Sequence, residues 1–319
     1  MRTTKNAVCF GIAVLATSSA YAEGPIDGKV YGRIDLNFGL FDSEANDGEK
    51  YDVISNSSRI GFKGETDLGD GLAAIYKAEF GFDAGQKGGA GLEYRSLYTG
   101  IKGGFGSVKL GHIDSPLKKS QGKFDQFNDY EGDLKKVMGG DERLSSLQYS
   151  TPEFAGAQFN LALQPGEEEG VEDKDGPADR MSASITYKLQ GLHVGLGYDS
   201  NKPDEKDYTR FTATYQWNTL HVGALYQMVK TEKEGDKFGN GEEDANGTGL
   251  SVAYGIGKAV IKAQHLASEE KAEEATSTSL GVDYLLGKKT KTYAFHTMFD
   301  QKGEKSKSSR TAIGIQHKF

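Results

Sequence analysis

Polar and apolar residues alternate one by one along most of this chain, and that period of two is its most restrictive feature. From Lys29 to Phe38, Val30, Ile34, Leu36 and Phe38 fall on one side, while Lys29, Arg33, Asp35 and Asn37 fall on the other. Successive side chains of a strand point to opposite faces, so such a run predicts a strand with one apolar and one polar face. The pattern returns with Ile60 and Phe62 against Arg59, Lys63 and Glu65. It recurs over 209–217, over 293–299, and over 310–319 up to the last residue. Sixteen such segments can be marked between residues 28 and 319, among them 28–39, 51–65, 92–102, 143–150 and 309–319.

The connections alternate as well. Seven are turn-like, such as Asp67–Gly71, Gln190–Gly191 and Gly287–Lys288; eight are long and polar. Strands running up and down therefore meet tight turns at one end and long excursions at the other. A membrane-crossing strand needs about 9–11 residues, and a sheet in hydrocarbon must close on itself to pair its backbone groups. Short turns on one side, long loops on the other and an apolar-out, polar-in alternation define an outer-membrane barrel. The predicted fold is all-β: a transmembrane, up-and-down antiparallel barrel of 16 strands. Mean hydropathy is −0.57, which this fold explains, because only one face of each strand meets lipid. A soluble all-β protein of the periplasm, for binding or support, is the competing architecture. It would have to bury the Arg, Lys, Asp and Gln of many strand faces without water, at a high desolvation cost.

The N-terminus reads as an export signal over 1–22: Arg2 and Lys5, an apolar run from Ala7 to Ala16, and an Ala20-Tyr21-Ala22 cleavage site. The remaining domain is 23–319. The single cysteine, Cys9, lies inside the signal, so no disulfide or thiol chemistry is expected. The formal net charge of the whole chain is −8, which argues against a nucleic-acid partner. The acid is unevenly placed: 28 of the 46 Asp and Glu residues fall in the connections 40–50, 113–142, 165–179, 230–246 and 268–275. Strands and turns are net positive. No catalytic motif, no phosphate-binding loop and no His spacing for a metal is found, so neither enzyme activity nor a cofactor is expected.

The longest connection, 113–142, exceeds the roughly 12–15 residues beyond which a loop is usually functional or disordered. It carries Phe124, Phe127, Tyr130, Leu134, Val137 and Met138, suited to packing on a wall, and the acids Asp114, Asp125, Asp129, Glu131 and Asp133. Arg33, Arg59 and Arg95 lie on early strands opposite apolar sets, and Arg143 opens the strand after the loop. Opposite charges across a narrow aqueous gap set up a transverse field, and clustered charges govern ion preference in pores.

Several stretches resemble the general porins of Gram-negative bacteria: Val30–Leu36 (VYGRIDL), Ser58–Leu72 (SRIGFKGETDLGDGL), Tyr94–Lys102, Phe105–Gly111, and Leu147–Phe154 (LQYSTPEF). Phe319, with Ile313 and Ile315 on its face, resembles the C-terminal assembly signal of such proteins. The resemblance implies a homotrimer of water-filled barrels in the outer membrane, passing small hydrophilic solutes by passive diffusion. It implies a third long loop folded into each pore, with Arg59, Arg95 and Arg143 as its basic wall and Arg33 as a lumenal cation. The family's Pro-Glu-Phe-Gly-Gly segment is missing from 113–142, so loop positions do not transfer directly. A substrate-selective channel is the nearest functional alternative. Acidic outer loops such as 167–175 suit divalent cations that bridge to lipopolysaccharide.

Overall fold

The computed structural model describes residues 26–44, 48–85, 91–166, 176–201, 204–231, 236–238, 240–270, 275–302 and 307–319. The export-signal reading of 1–22 and the acidic run 167–175 lie outside them. Seventeen strand segments follow one another: β1 (Ile26–Ser43), β2 (Gly48–Ser55), β3 (Arg59–Gly69), β4 (Leu72–Gly81), β5 (Glu93–Gly103), β6 (Gly106–Asp114), β7 (Arg143–Ser150), β8 (Ala157–Gln164) and β9 (Arg180–Leu189) come first. The second half holds β10 (Leu192–Asn201), β11 (Lys206–Trp217), β12 (Leu220–Thr231), β13 (Asp244–Ile256), β14 (Ala259–Ser268), β15 (Ala275–Leu285), β16 (Thr290–Gln301) and β17 (Ser308–Lys318).

All pairings between neighbours are antiparallel, and β1 also pairs with β17, from Arg33↔Lys318 to Ser43↔Ser308, which closes the ring. β2 and β3 both pair with β1. They are two halves of one wall-crossing strand, so the barrel has sixteen staves. The interruption at Asn56–Ser58 places three residues opposite Ile34 and Asp35 of β1, one too many, and Ser57 takes a positive φ of 55°. Such an extra residue is a bulge, which bends a strand and redirects side chains. The short turns have the backbone that tight hairpins require. Asp70 and Gly71, and Gln190 and Gly191, both take positive φ, at 52° and 75° and at 46° and 88°.

Burial inverts the usual order. Val30, Phe38, Leu250 and Ile313 are more than half exposed, whereas Asp35, Arg210 and Thr212 are fully buried. The apolar face of each strand points outward, where lipid takes the place of a core, and the polar face points into the ring. Among the described residues three buried apolar clusters stand out, and each contains residues of the segment between β6 and β7. Phe124, Leu134, Val137 and Met138 pack with Leu225, Leu266 and Ala275; Leu117 packs with Tyr208 and Val229; Phe127 and Tyr130 pack with Tyr293, Phe295 and Ala312. The apolar residues of the longest connection thus pack against buried side chains of β11 to β17.

Glycines make that packing possible. A Cβ at Gly249 would come within 2.5 Å of the Phe124 ring, one at Gly247 within 2.9 Å of Met138 Sδ, and one at Gly281 within 3.0 Å of Phe127. A side chain at Gly249 would displace the Phe124 ring, whereas one at Gly247 or Gly281 would require Met138 or Phe127 to shift.

Candidate functional site

The connection begins with helix α1 (Pro116–Ser120), capped by the Ser115 hydroxyl, which accepts from the Lys118 N–H at 3.0 Å. A 3-10 turn over Leu134–Lys136 follows, capped by Asp133. Between them the chain is held by its own acids. Asp125 accepts from the N–H groups of Phe127 and Leu134, both at 2.9 Å, and from Gln264 Nε2 at 3.0 Å. Asp133 accepts from the N–H groups of Asp129 at 2.7 Å and Lys135 at 2.9 Å. Burial, together with the nearby Asp133 carboxylate, pushes Asp125 up to about 7; burial also raises Asp133. These two carboxylates shape the segment and turn away from water.

Asp129 is different. It sits at a positive φ of 71°, which projects its carboxylate back toward the first strands. Arg33 Nη2 donates to Asp129 Oδ2 at 2.7 Å, and the Ser57 hydroxyl donates to Oδ1 at 2.8 Å. Arg59 Nη1 lies 3.8 Å and Arg95 Nη2 lies 4.0 Å from the same carboxylate. Burial works against its charge, but the adjacent Arg33, its hydrogen bonds and Arg59 prevail and hold Asp129 down to about 2.

Local backbone irregularities aim these groups. The break between β2 and β3 frees the Asn56 and Ser57 carbonyls to accept from Arg33 Nη2 at 2.8 and 3.3 Å. In the β4–β5 ladder Glu79 pairs with Ser96 and Phe80 with Tyr94, which leaves Arg95 as the extra residue of a bulge. Both Arg95 and Ser96 thereby turn inward, which strict alternation forbids. Glu79 is a second acid of the cluster, supplied by a strand rather than by the connection. Glu79 accepts from Tyr31 at 2.8 Å and from Arg95 Nε at 3.3 Å, and lies within 3.9 Å of Arg59 and 3.3 Å of Lys77. Its signal was present: Lys77 and Glu79 share the inward parity of β4.

The other expected site residues are placed apart from this cluster. Arg143 pairs with Asp114, Nε to Oδ1 at 3.0 Å, and Asp114 also lies 3.6 Å from Lys118. Asp114 ends β6 and is no part of the connection proper. Glu131 pairs with Lys136 at 3.1 Å. One further arginine carries weight. Arg210, fully buried, donates to Gln227 at 2.7 Å, to Gln121 Oε1 at 3.1 Å and to the Gly139 carbonyl at 2.8 Å. It ties both ends of the connection to β11. At the barrel seam, Phe319 donates its N–H to the Gly32 carbonyl at 3.1 Å and accepts from the Gly32 N–H at 3.2 Å.

A closed antiparallel barrel with an apolar exterior and a charged, water-accessible interior defines an outer-membrane channel. Residues 10–304 match the family of Gram-negative porins, and the chain belongs to that family. It is 27% identical over 286 residues to the major outer membrane protein P.IB of Neisseria meningitidis serogroup B, covering 84% of each chain. It is 28% identical over 257 residues to a monosaccharide porin of Halomonas sp, covering 72% of this chain and 68% of that protein. Its fold is similar to that of the anion-selective porin from Comamonas acidovorans, with a TM-score of 0.79 at 20% identity over 92% of this chain and 100% of the other. The protein is therefore an integral outer-membrane porin for passive diffusion.

Proposed function

We propose that the connection between β6 and β7 lies within the lumen and narrows it to an eyelet. Asp129 stands on one side of that eyelet, and Arg33, Arg59 and Arg95 stand on the other. The observation that carries this reading is the approach of three arginines to one carboxylate, all within 4.0 Å. Arginine keeps its charge at every relevant pH, and two or more cations facing one anion leave the gap net positive. Arg143, with Asp114, extends the basic wall toward the start of the connection. Glu131 belongs to the rim of the segment, and Asp125 and Asp133 serve as its internal struts. Glu79 completes the cluster from the wall.

Within this reading, residues 1–22 direct export and 23–319 form the barrel, three copies assemble into a trimer, and Phe319 directs assembly. An outer-membrane protein of Vibrio cholerae solved in a trimer form shares the fold, with a TM-score of 0.66 at 16% identity over 92% of this chain and 99% of the other. Acidic outer connections would meet lipopolysaccharide through divalent cations. Planar-bilayer recording tests the whole. Ohmic conductance arriving in steps of three is expected; single, independent steps from a protein of proven fold overturn the trimer. Replacing Arg59 and Arg95 with Gln should shift the reversal potential in a salt gradient toward cations. An unchanged potential overturns the eyelet assignment.

A further inference from the structure

On the turn side of α1 the lumen widens into a cavity of about 710 Å³. Its floor is the β9–β10 turn, Leu189–Leu192, so it opens toward the end of the barrel that carries the short connections. Lys119, Lys123 and Lys188 line it with His193 and His221, and amides and hydroxyls fill the gaps between them. Among the described residues, none of its lining side chains is a carboxylate, and none of the three lysines pairs with an acid within 4.0 Å. That is unusual in a chain with an excess of acid. Lys188 lies on the inward parity of β9, with Ser182, Ser184 and Thr186, so its charge faces water in the lumen.

The cavity is the end of a continuous cationic track. Arg59 and Arg95 meet Glu79, and Lys77 Nζ lies 3.3 Å from the same carboxylate. Lys77 is in register with Tyr98, over whose ring Lys109 Nζ sits at 5.3 Å. Lys109 is in register with Gln148, which accepts from Lys119 Nζ at 2.9 Å. Lys119 opens on the cavity. Among the described residues, Glu79 and Asp129 set negative charge against the arginine end of this row; Glu79 is shared among three cations and a tyrosine, and Asp129 lies beside Arg59 and Arg95. Burial, and then the charge of Lys109, pull the Lys119 ammonium down to about 8 against the influence of Asp114, as expected where like charges crowd.

We infer that this turn-side cavity is a binding site for small multivalent oxyanions, held by Lys119, Lys123 and Lys188 with His193 and His221. Ammonium groups without carboxylate partners supply the attraction, and low-dielectric walls focus it. Amide and hydroxyl groups, from Gln158, Asn160 and Thr214 among others, donate to the remaining oxygens. Phosphate esters and polycarboxylates share this chemistry, and a volume near 700 Å³ suits a ligand of several such groups. A monovalent anion gains too little from three separated charges to be held. The site therefore distinguishes anions by valence, after the eyelet has filtered them by size. It depends on the seat of α1, but not on the eyelet's field.

The test is current block in planar bilayers. Inorganic pyrophosphate and citrate are added in turn to the turn-side compartment, with a neutral trisaccharide as control. Concentration-dependent block by at least one anion, and none by the sugar at equal concentration, is expected. Block by pyrophosphate alone assigns the site to phosphate groups, block by citrate alone to polycarboxylates, and block by both to the shared chemistry. The double variant Lys123→Gln/Lys188→Gln, both exposed side chains, should raise the half-blocking concentration at least tenfold. Heat-modifiable migration verifies its fold, and the single variant Lys188→Gln, expected to give a several-fold rise, serves if the double variant fails to fold. Equal half-block in folded variants and wild type, or no block by either anion, overturns the site. The reversal potential of Asp129→Asn reads the eyelet separately, so either assignment can fail while the other stands.

Discussion

Asp129 carries more of the local electrostatics than any other residue of the connection, because it alone among the loop acids faces a row of arginines. A carboxyl held near pH 2 in the folded protein is ionised throughout the range in which the barrel works. Its lowered value means that the stabilisation from Arg33 and Ser57 is complete above about pH 4, the range of an unperturbed Asp. That stabilisation fades only as pH falls through about 2. Reversal potentials measured from pH 7 down to pH 4 should therefore stay constant as far as this group is concerned. Asp129→Asn should move them toward anions at every pH, because three guanidinium groups then lose their shared counter-charge. Sequence alone marked five of the seven acids in this stretch as candidates and gave no means of ranking them. The rank comes from backbone direction: Asp125 and Asp133 fold back on N–H groups of their own segment, and the positive φ of Asp129 sends its carboxylate the other way.

The connection between β6 and β7 behaves as an element in its own right, with apolar anchors, carboxylate struts and one arginine clamp. Arg210 is fully buried and spends its donors on Gln121, Gln227 and the Gly139 carbonyl. Arg210→Ala leaves the Gln121 and Gln227 amide oxygens buried without partners, at a cost of about 1–3 kcal/mol each, while the Gly139 carbonyl keeps Gln227 Nε2 at 3.3 Å. Such a loss falls on the connection and spares the sheet, whose ladders are independent of it. Limited proteolysis should cut Arg210→Ala within 115–142 while the barrel core keeps its heat-modifiable migration; equal resistance to wild type would assign Arg210 no clamping role. Gly249→Val tests the other half of the seat. With the Phe124 ring 2.5 Å from the added Cβ, the anchor must leave, and open-channel current noise should rise. The anchors themselves were legible as an apolar set in a polar stretch. Their seats were not, because a glycine on an inward strand face looks the same as one required by a turn until the ring above it is located. The bulge at Arg95 was hidden for a related reason: a period-two count has no term for an extra residue.

For the molecule as a whole, the sixteen-fold alternation translates directly into a barrel because each stave meets lipid on one side and water on the other. Charge and hydropathy are therefore partitioned by face, and substitutions should divide the same way. Leu250 and Ser251 are neighbours on β13, one exposed outward and the other buried inward. An arginine in place of Leu250 enters hydrocarbon, at about 2–4 kcal/mol near the membrane midplane and less toward its edges. Gln216→Asp, on the inward face of β11 where it lines the polar cavity beside Lys119 and Lys123, instead meets water, and its cost should be well under half of that. Folding free energies from urea titration into lipid vesicles measure both; equal costs would deny the inverted burial. Closure is the second requirement at this scale, since an open edge leaves backbone groups unpaired in lipid. The β1–β17 ladder ends in the reciprocal hydrogen bonds of Phe319 with Gly32, and the Phe319 ring packs where a Gly32 side chain would stand, 2.2 Å from its Cβ position. Deleting Phe319 removes both bonds and the ring at the final step of closure. The expected result is a folded yield reduced several-fold in vesicles, with the sheet content of the surviving fraction unchanged. Phe319→Ala keeps the backbone pair and loses only the ring, so it should fall between the two. If Phe319→Ala and the deletion were equally impaired, the ring rather than the backbone pair would govern closure.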